Sequence, residues 1–434
     1  MKPTFDTTLE RTEEILQAHE ATIRKLGEVI VNRDLMGRVR LIVNEEARTR
    51  TLESELTGLA TALSAALGAH GYPPESTLLF EENLEAFSTG PSFALEGYPS
   101  IKVVDRLASE ADWGHVSDLA QGAPRVVFYS IKGGVGRSTA VAVTAAMLAE
   151  RGYKVMVLDL DLASPGLSST LLPEGRRPDF GVIDWLVEDL VDQGEQVLKS
   201  MVGRTGMTFD GDVLIVPAHG RSPGDYIAKL GRAWMPKLGH KGRESWSKRL
   251  NRLVADLEAA WRPQVILIDS RSGVDDIAST CVTELGAELV LLFANDSPQT
   301  WTGYDVVFDY WRRARVIESI RHRLQCVGMA VPTEDVAAYA ISLRERAWSH
   351  FMDGVYDEVP PGESVGLRFT FDLDDDTAPH TPWDIRWDKA FISVSSWVRA
   401  FGQIDGHAMQ NAFGEIANGL EELIAARSQS EDTP

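Results

Sequence analysis

Tyr129-Ser-Ile-Lys-Gly-Gly-Val-Gly-Arg-Ser-Thr139 decides how the rest of the chain is read. It follows an apolar run, Val126-Val-Phe-Tyr129, and leads into Ala140-Val-Ala-Val-Thr-Ala-Ala-Met-Leu-Ala149. A buried strand, a glycine turn and an amphipathic helix in that order make a phosphate cradle. Glycines let consecutive backbone N–H groups point inward, and the helix N-terminus adds partial positive charge. Gly133, Gly134, Val135, Gly136, Arg137, Ser138 and Thr139 form this cradle. A hydroxyl at the helix start, Ser138, can ligate a magnesium ion that bridges phosphates. The spacing is close to the P-loop pattern, with Ile131 where its first glycine falls and Arg137 where its phosphate lysine falls. An added lysine, Lys132, opens the glycine run.

Working outward, the flanking apolar runs lack alternation, as strands covered on both faces do. They are Val126–Tyr129, Val155–Leu158, Val213–Val216, Val265–Ile268, Leu289–Phe293 and Cys326–Val331. Helical stretches separate most of them: Gly181–Asp192, Glu244–Trp261, Gln299–Arg323 and Val336–His350. This alternation predicts an α/β fold, a doubly wound, mostly parallel sheet with right-handed crossovers. After Val331 the pattern blurs. Phe369–Asp376 is acidic, and Ala378-Pro-His-Thr-Pro-Trp383 is a proline-broken loop. Ile392–Phe401 and Met409–Ala426 read as C-terminal helices, the second with Phe413, Ile416, Leu420 and Ile424 on one face.

Ahead of the glycine turn, residues 1–113 read as a helical or small α/β extension. Charge at helical spacing runs from Thr7 to Lys25, and a helix from Arg48 to His70 carries Leu52, Leu56, Leu59, Leu63 and Leu67. Val39–Val43, Thr77–Phe80 and Ile101–Val104 are strand candidates. This extension is either an appendage packed on its neighbour or a partner-binding module. Gly114 to Pro124 is the linker, 125–427 the nucleotide-binding domain, and 428–434 a polar tail expected to be disordered.

Composition narrows the classes. Apolar content of 44% with 25% charged residues supports a full core. No apolar run approaches the roughly 20 residues of a membrane span, and Met1–Asp6 shows no signal-peptide core, so a cytoplasmic location is expected. Cys281 and Cys326 lie in apolar surroundings without metal-ligand spacing and read as reduced, buried thiols. A net charge of −21 disfavours non-specific binding to DNA or anionic membrane over the whole surface. One segment is basic: Lys229 to Arg252 holds Arg232, Lys237, His240, Lys241, Arg243, Lys248 and Arg249, with Trp234 and Trp246 interleaved. Bases mixed with aromatics can bind nucleic acid. A solvated helical face or a contact to an acidic protein is the favoured reading.

Two further constellations bear chemistry. Val157-Leu-Asp-Leu-Asp-Leu-Ala-Ser-Pro-Gly-Leu167 ends a strand with Asp159 and Asp161, which belong at the carboxyl rim over the glycine turn. Val265-Ile-Leu-Ile-Asp-Ser-Arg-Ser-Gly273 delivers Asp269 to its strand end, where it can hold a magnesium-bound water. Gly273 supplies a small, flexible position able to approach phosphate. Arg271 is either a charge stabiliser in cis or the partner of Asp275 and Asp276. Asn295–Thr300 and Val331–Glu334 fall on the same rim.

Lys132-Gly-Gly-Val-Gly-Arg-Ser138, with these two strands in order, resembles the deviant Walker A motif of the ParA/MinD superfamily of dimerising ATPases, and its arginine resembles the KGGVGR branch. The resemblance spans roughly Arg125 to Glu334. It implies a P-loop ATPase that uses ATP and Mg2+, forms a homodimer on ATP binding and controls a partner protein. It further implies that Lys132 reaches the nucleotide of the other subunit, that Asp161 positions the attacking water, and that Asp159 supports the magnesium shell. Lys132, Arg137 and Asp161 are the expected catalytic residues, and Ser138, Asp159 and Asp269 the expected metal-site residues. Alternatives are a nucleotide-binding scaffold without turnover and a DNA-associated partition ATPase. A tyrosine kinase is disfavoured because the tail is not tyrosine-rich.

Overall fold

The computed structural model describes the whole chain except residues 1, 109–111, 208, 240–241, 332–334, 364–365, 387, 389–390, 392–396, 402 and 432–434. The chain divides into two compact units, Met1–His115 with Tyr310–Val316, and Val116–Asp309 with Ile317–Pro434.

The first unit is α/β. Its strands are β1 (Val29–Arg33), β2 (Val39–Asn44), β3 (Leu78–Glu81), β4 (Ser92–Leu95) and β5 (Tyr98–Asp105). They form one sheet in the order β3-β2-β1-β5-β4. The central strand β1 is buried along its whole length and pairs antiparallel with β2 and parallel with β5. Helices Thr8–Ala18, Glu20–Leu26 and Glu53–Leu67 supply Leu16, Ile23, Leu59 and Leu63 to its core. The charged stretch read from Thr7 to Lys25 is thus two helices meeting at His19.

The second unit holds β6 (Arg125–Ser130), β7 (Lys154–Asp159), β8 (Gly203–Arg204), β9 (Asp212–Val216), the hairpin β10 (Lys237–Gly239) and β11 (Gly242–Glu244), β12 (Val265–Asp269), β13 (Leu289–Ala294), β14 (Leu324–Val331) and β15 (Trp383–Arg386). Eight of these make one sheet in the order β15-β14-β13-β6-β12-β7-β9-β8. All pairs are parallel except β8 with β9. The fold is therefore the doubly wound α/β class that the apolar runs predict.

Helix Arg137–Glu150, expected to be amphipathic, is instead buried on nearly every side from Ala140 to Ala149. A helix apolar all round must be covered all round, and helix Gly406–Glu431 packs against it. That C-terminal helix buries Phe413, Ile416, Leu420 and Ile424, each contributing about 1.5–3 kcal/mol. It runs to Glu431, so Ser428–Glu431 are helical where a disordered tail is expected from sequence.

Other expectations change in part. Trp383, read as the end of a proline-broken loop, starts the edge strand β15. The helix read over Gln299–Arg323 breaks after Pro298–Arg313, where Arg315 takes φ +59, and resumes at Ile317–Ile320. Of the helix read over Ile392–Phe401, Trp397–Ala400 is helical and 392–396 lie outside the described residues. Val116–Pro124 is not a free linker. Its backbone bonds along the second unit through Ser117 N to Thr283 O (2.8 Å) and Ala120 N to Gly286 O (3.0 Å). On β15, Asp384 is a half-buried acid whose buried Oδ1 has no hydrogen-bond partner among the described residues. Both cysteines are free and buried, and burial pushes the Cys281 thiol up to about 12.

Candidate nucleotide-binding site

The glycine turn joins the end of β6 to the start of helix Arg137–Glu150, beside the carboxyl ends of β7 and β12. Gly134 and Gly136 take φ of +76 and +85, which side-chain-bearing residues rarely adopt. A Cβ on Gly136 would also come within 3.0 Å of Met329 Cε, so that side chain would have to shift. Ile131 packs where a helix comes close: a Cβ on Gly303 would lie 2.3 Å from its Cγ2. The glycine missing at 131 is thus matched by one supplied at 303.

Arg137 turns inward and is 6% exposed. Its Nε donates to Asp269 Oδ1 at 2.7 Å, one terminal nitrogen donates to Ser130 Oγ at 3.2 Å, and the other reaches Asp161 Oδ2 at 3.5 Å. Ser138 Oγ donates to the second oxygen of Asp269 at 2.6 Å. The Walker-type arginine, the helix-start hydroxyl and the strand-end carboxylate therefore form one hydrogen-bonded unit, built from residues 131 and 132 positions apart in sequence. Burial works against the arginine's charge, but Asp269, Asp161 and Asp159 outweigh it and hold the Arg137 pKa above its ordinary value. Burial pushes Asp161 up, and the Arg137 charge pulls it back only in part.

A cleft of ≈ 350 Å³ opens over this unit, lined among others by Ser138, Thr139, Asp159, Asp161, Gly166 and Asp269. Asp161 Oδ1 is buried there without a hydrogen-bond partner among the described residues. Hydroxyl and carboxylate oxygens with spare acceptor capacity suit a hard cation such as magnesium. Among the described residues no three acids or histidines cluster closely enough to cage a metal by themselves.

Gly273, at φ +95, donates its N–H to Ser130 O at 2.9 Å, so this second loop lies against the glycine turn. Arg271 pairs with Asp275 at 3.0 Å, which selects the ion-pair reading. Lys132 is exposed and makes no ion pair among the described residues. Thr300 Oγ1 bonds Asn295 Oδ1 at 2.8 Å within the rim loop; of the second rim segment, 332–334 lie outside the described residues.

The basic segment folds differently from a stacking platform. Trp246 is 1% exposed and packs edge-on against Trp234 at 5.1 Å. Lys229, Lys237, Arg249 and Arg252 pair with Asp184 and Asp189 at 2.6–3.0 Å. Sequence reasoning missed this pairing because the acids lie about 45–63 residues upstream. His240 and Lys241 lie outside the described residues.

Fold and site together place a P-loop-like glycine turn on a doubly wound sheet. Residues 123–185 match the ParA family model, described as NUBPL iron-transfer P-loop NTPase. An iron-sulfur cluster carrier protein of Clostridium perfringens is 42% identical over 53 residues, 12% of this chain and 19% of that relative. The matched stretch thus spans about a fifth of the curated relative's length. Among solved structures, the cell division ATPase MinD of Pyrococcus furiosus is similar at 20% identity, covering 69% of this chain and 99% of its own, with a TM-score of 0.44. MinD of Pyrococcus horikoshii OT3, complexed with Mg-ADP, is similar at 18% identity over 70% and 98%, with a TM-score of 0.44.

Proposed function

We propose that this chain is a magnesium-dependent ATP-binding and hydrolysing switch of the ParA/MinD type, in the KGGVGR variant, whose nucleotide-controlled homodimer regulates a partner protein. The observation that carries this reading is the bonded unit of Arg137, Ser138 and Asp269 at the mouth of the glycine turn. Backbone N–H groups from Gly133 to Thr139 bind the phosphates, and the helix start favours their negative charge. Arg137 cannot imitate lysine's compact ammonium, but its fork has donors for more than one partner. With Nε held by Asp269, its terminal nitrogens stand between Asp161 and the cradle, so an arriving phosphate competes with Asp161 for them. Asp161, released from Arg137, then orients water and accepts its proton, a task favoured by its raised pKa. Ser138 and Asp269 would hold magnesium, directly and through water, with Asp159 supporting the shell. When bound, the ion neutralises phosphate charge and aligns the leaving group. Gly273 leaves room for the terminal phosphate. Lys132, exposed at the mouth, reaches the nucleotide of the facing subunit. We assign residues 1–113 as the extension and 125–427, less the Tyr310–Val316 stretch that belongs to the first unit, as the nucleotide-binding domain of this switch.

The test is binding of a fluorescent ATP analogue with magnesium. Wild type should bind, and Ser138→Ala combined with Arg137→Ala should bind at least roughly tenfold more weakly, since a charge-assisted phosphate contact contributes about 1.5–3 kcal/mol. Equal binding by both proteins overturns the assignment. Phosphate release by wild type then separates a turning-over ATPase from a nucleotide-binding scaffold.

A further inference from the structure

Asp161 is aimed by its backbone more than by its side-chain contacts. One carboxylate oxygen has no hydrogen-bond partner among the described residues, and the other meets Arg137 at 3.5 Å. The chain on either side of it is anchored. Before it, Leu160 N donates to Asp269 O at 3.0 Å, which continues the pairing of β7 with β12. After it, the Tyr226 hydroxyl donates to Leu162 O at 2.7 Å. Asp161 O itself accepts from Ser164 N at 3.1 Å, closing the turn. Leu160 and Leu162 are both buried, so the acid projects from between two fixed neighbours. Tyr226 owes its own place to other contacts. It opens helix Tyr226–Ala233, whose start is capped by Asp225 accepting from Ala228 N at 3.4 Å. One turn on, Lys229 pairs with the buried Asp184 at 2.6 Å, and Asp184 also accepts from Gly181 N at 2.8 Å and Gly220 N at 3.1 Å. The tyrosine ring lies edge-on to His219, with 5.5 Å between centroids. A ring placed by these contacts presents its hydroxyl at a fixed point.

We infer that Tyr226 is a positioning residue for Asp161, holding the loop that carries the acid over the nucleotide cleft through a hydrogen bond to the Leu162 carbonyl. The hydroxyl acts on the attacking water only through Asp161, so this role rests on the hydrolysis proposed above. When phosphate draws the Arg137 nitrogens away, Asp161 gives up its long contact with them. Its backbone anchors then keep the carboxylate on target, and a small displacement of a catalytic group is costly in rate. The Leu160 anchor belongs to the sheet, whereas the Leu162 anchor belongs to a side chain on the crossover from β9 to β12. Burial and the nearby carboxylates of Asp159, Asp184 and Asp161 push the Tyr226 pKa up, so the hydroxyl stays protonated and donating.

The test is Tyr226→Phe in the full chain, which removes one oxygen and keeps the ring against His219. Phosphate release at saturating ATP should slow roughly three- to tenfold, as expected for one neutral hydrogen bond. KM and the affinity for the fluorescent ATP analogue should stay within about twofold of wild type. In an Asp161→Ala background the same substitution should change nothing further, because no carboxylate is left to aim. Equal turnover by Tyr226→Phe and wild type overturns the inference. So does a loss that repeats in full on Asp161→Ala, or one that falls on nucleotide affinity and the urea midpoint in place of turnover, since either marks a merely structural role. Hydrogen–deuterium exchange reads the anchor without turnover: amides from Asp161 to Gly166 should exchange roughly three- to tenfold faster in Tyr226→Phe. A wild type that binds ATP but releases no phosphate ends the hydrolysis reading, and unchanged exchange in this segment ends the anchor itself.

Discussion

The second unit buries two arginines against aspartates, and the two sites solve the same electrostatic problem differently. Arg249 is 0% exposed. It gives Nε to Asp189 at 2.8 Å and its remaining nitrogens to the carbonyls of Met235 and Leu186. Lys237 and Arg252 complete the shell around Asp189. Burial alone would raise that carboxyl, but hydrogen bonds from Arg252, Arg249 and Lys237 outweigh it and hold it below its ordinary range. Arg137 is nearly as deep, yet its Asp161 contact is long at 3.5 Å, one Asp161 oxygen has no bonding partner among the described residues, and burial raises that acid. A saturated network fixes structure. An unsaturated one beside a cleft keeps capacity for a ligand.

Removing Arg249 should have the largest effect. Arg249→Ala leaves Asp189 short of its deepest partner and should cost about 3–5 kcal/mol, seen as a lower urea midpoint, while the folded fraction still binds the ATP analogue. A loss below about 1 kcal/mol would show that the saturated site is slack. Asp161→Ala should invert this pattern, with little loss of stability and roughly 10²-fold slower phosphate release, while nucleotide binding is kept or tightened because phosphate no longer competes with Asp161 for Arg137. Wild-type turnover in that variant would move the catalytic role elsewhere.

Asp384 offers a half-buried carboxylate, distant in sequence from the glycine turn. Burial and the nearby Glu415 push it up to about 6, against the weaker pull of Arg386. An acid raised on folding is tolerated while protonated, so its cost appears as pH rises from the ordinary carboxylate range through about 6. Asp384→Asn should therefore match wild type in acid and exceed it above that pH, measured as denaturation midpoints across a pH series. The reverse order would show that Asp384 is ionised and satisfied. Lys132→Ala should barely move stability, within about 0.5 kcal/mol, because the side chain is exposed. It should nonetheless abolish dimerisation with a non-hydrolysable ATP analogue, measured by light scattering.

The doubly wound sheet was legible because strands such as Val265–Ile268 and Leu289–Phe293 are apolar on both faces. The carboxyl-end placement of Asp159 and Asp269 followed from the same runs. Strand β1 was not legible. Val29-Ile-Val-Asn-Arg33 mixes apolar and polar residues, and its parallel partner β5 begins at Tyr98. A pairing that distant leaves no local signature. Arg249 was hidden similarly, since a basic run reads as surface until Asp189 is brought beside it. Asp161 could be placed on the rim, but its missing partner depends on how Arg137 divides its donors between β12 and β7.

The contact between Ile131 and Gly303 has a consequence for engineering. Restoring a glycine at 131 would bring the turn closer to the common P-loop pattern, yet empty the space that Gly303 now leaves for a branched side chain. Ala at 303 alone would collide with Ile131. Each change removes the reason for the other's cost, so Ile131→Gly and Gly303→Ala should lose less together than the sum of their separate losses. The two positions are then a lock and its key cut from one chain, free to vary as a pair and constrained apart.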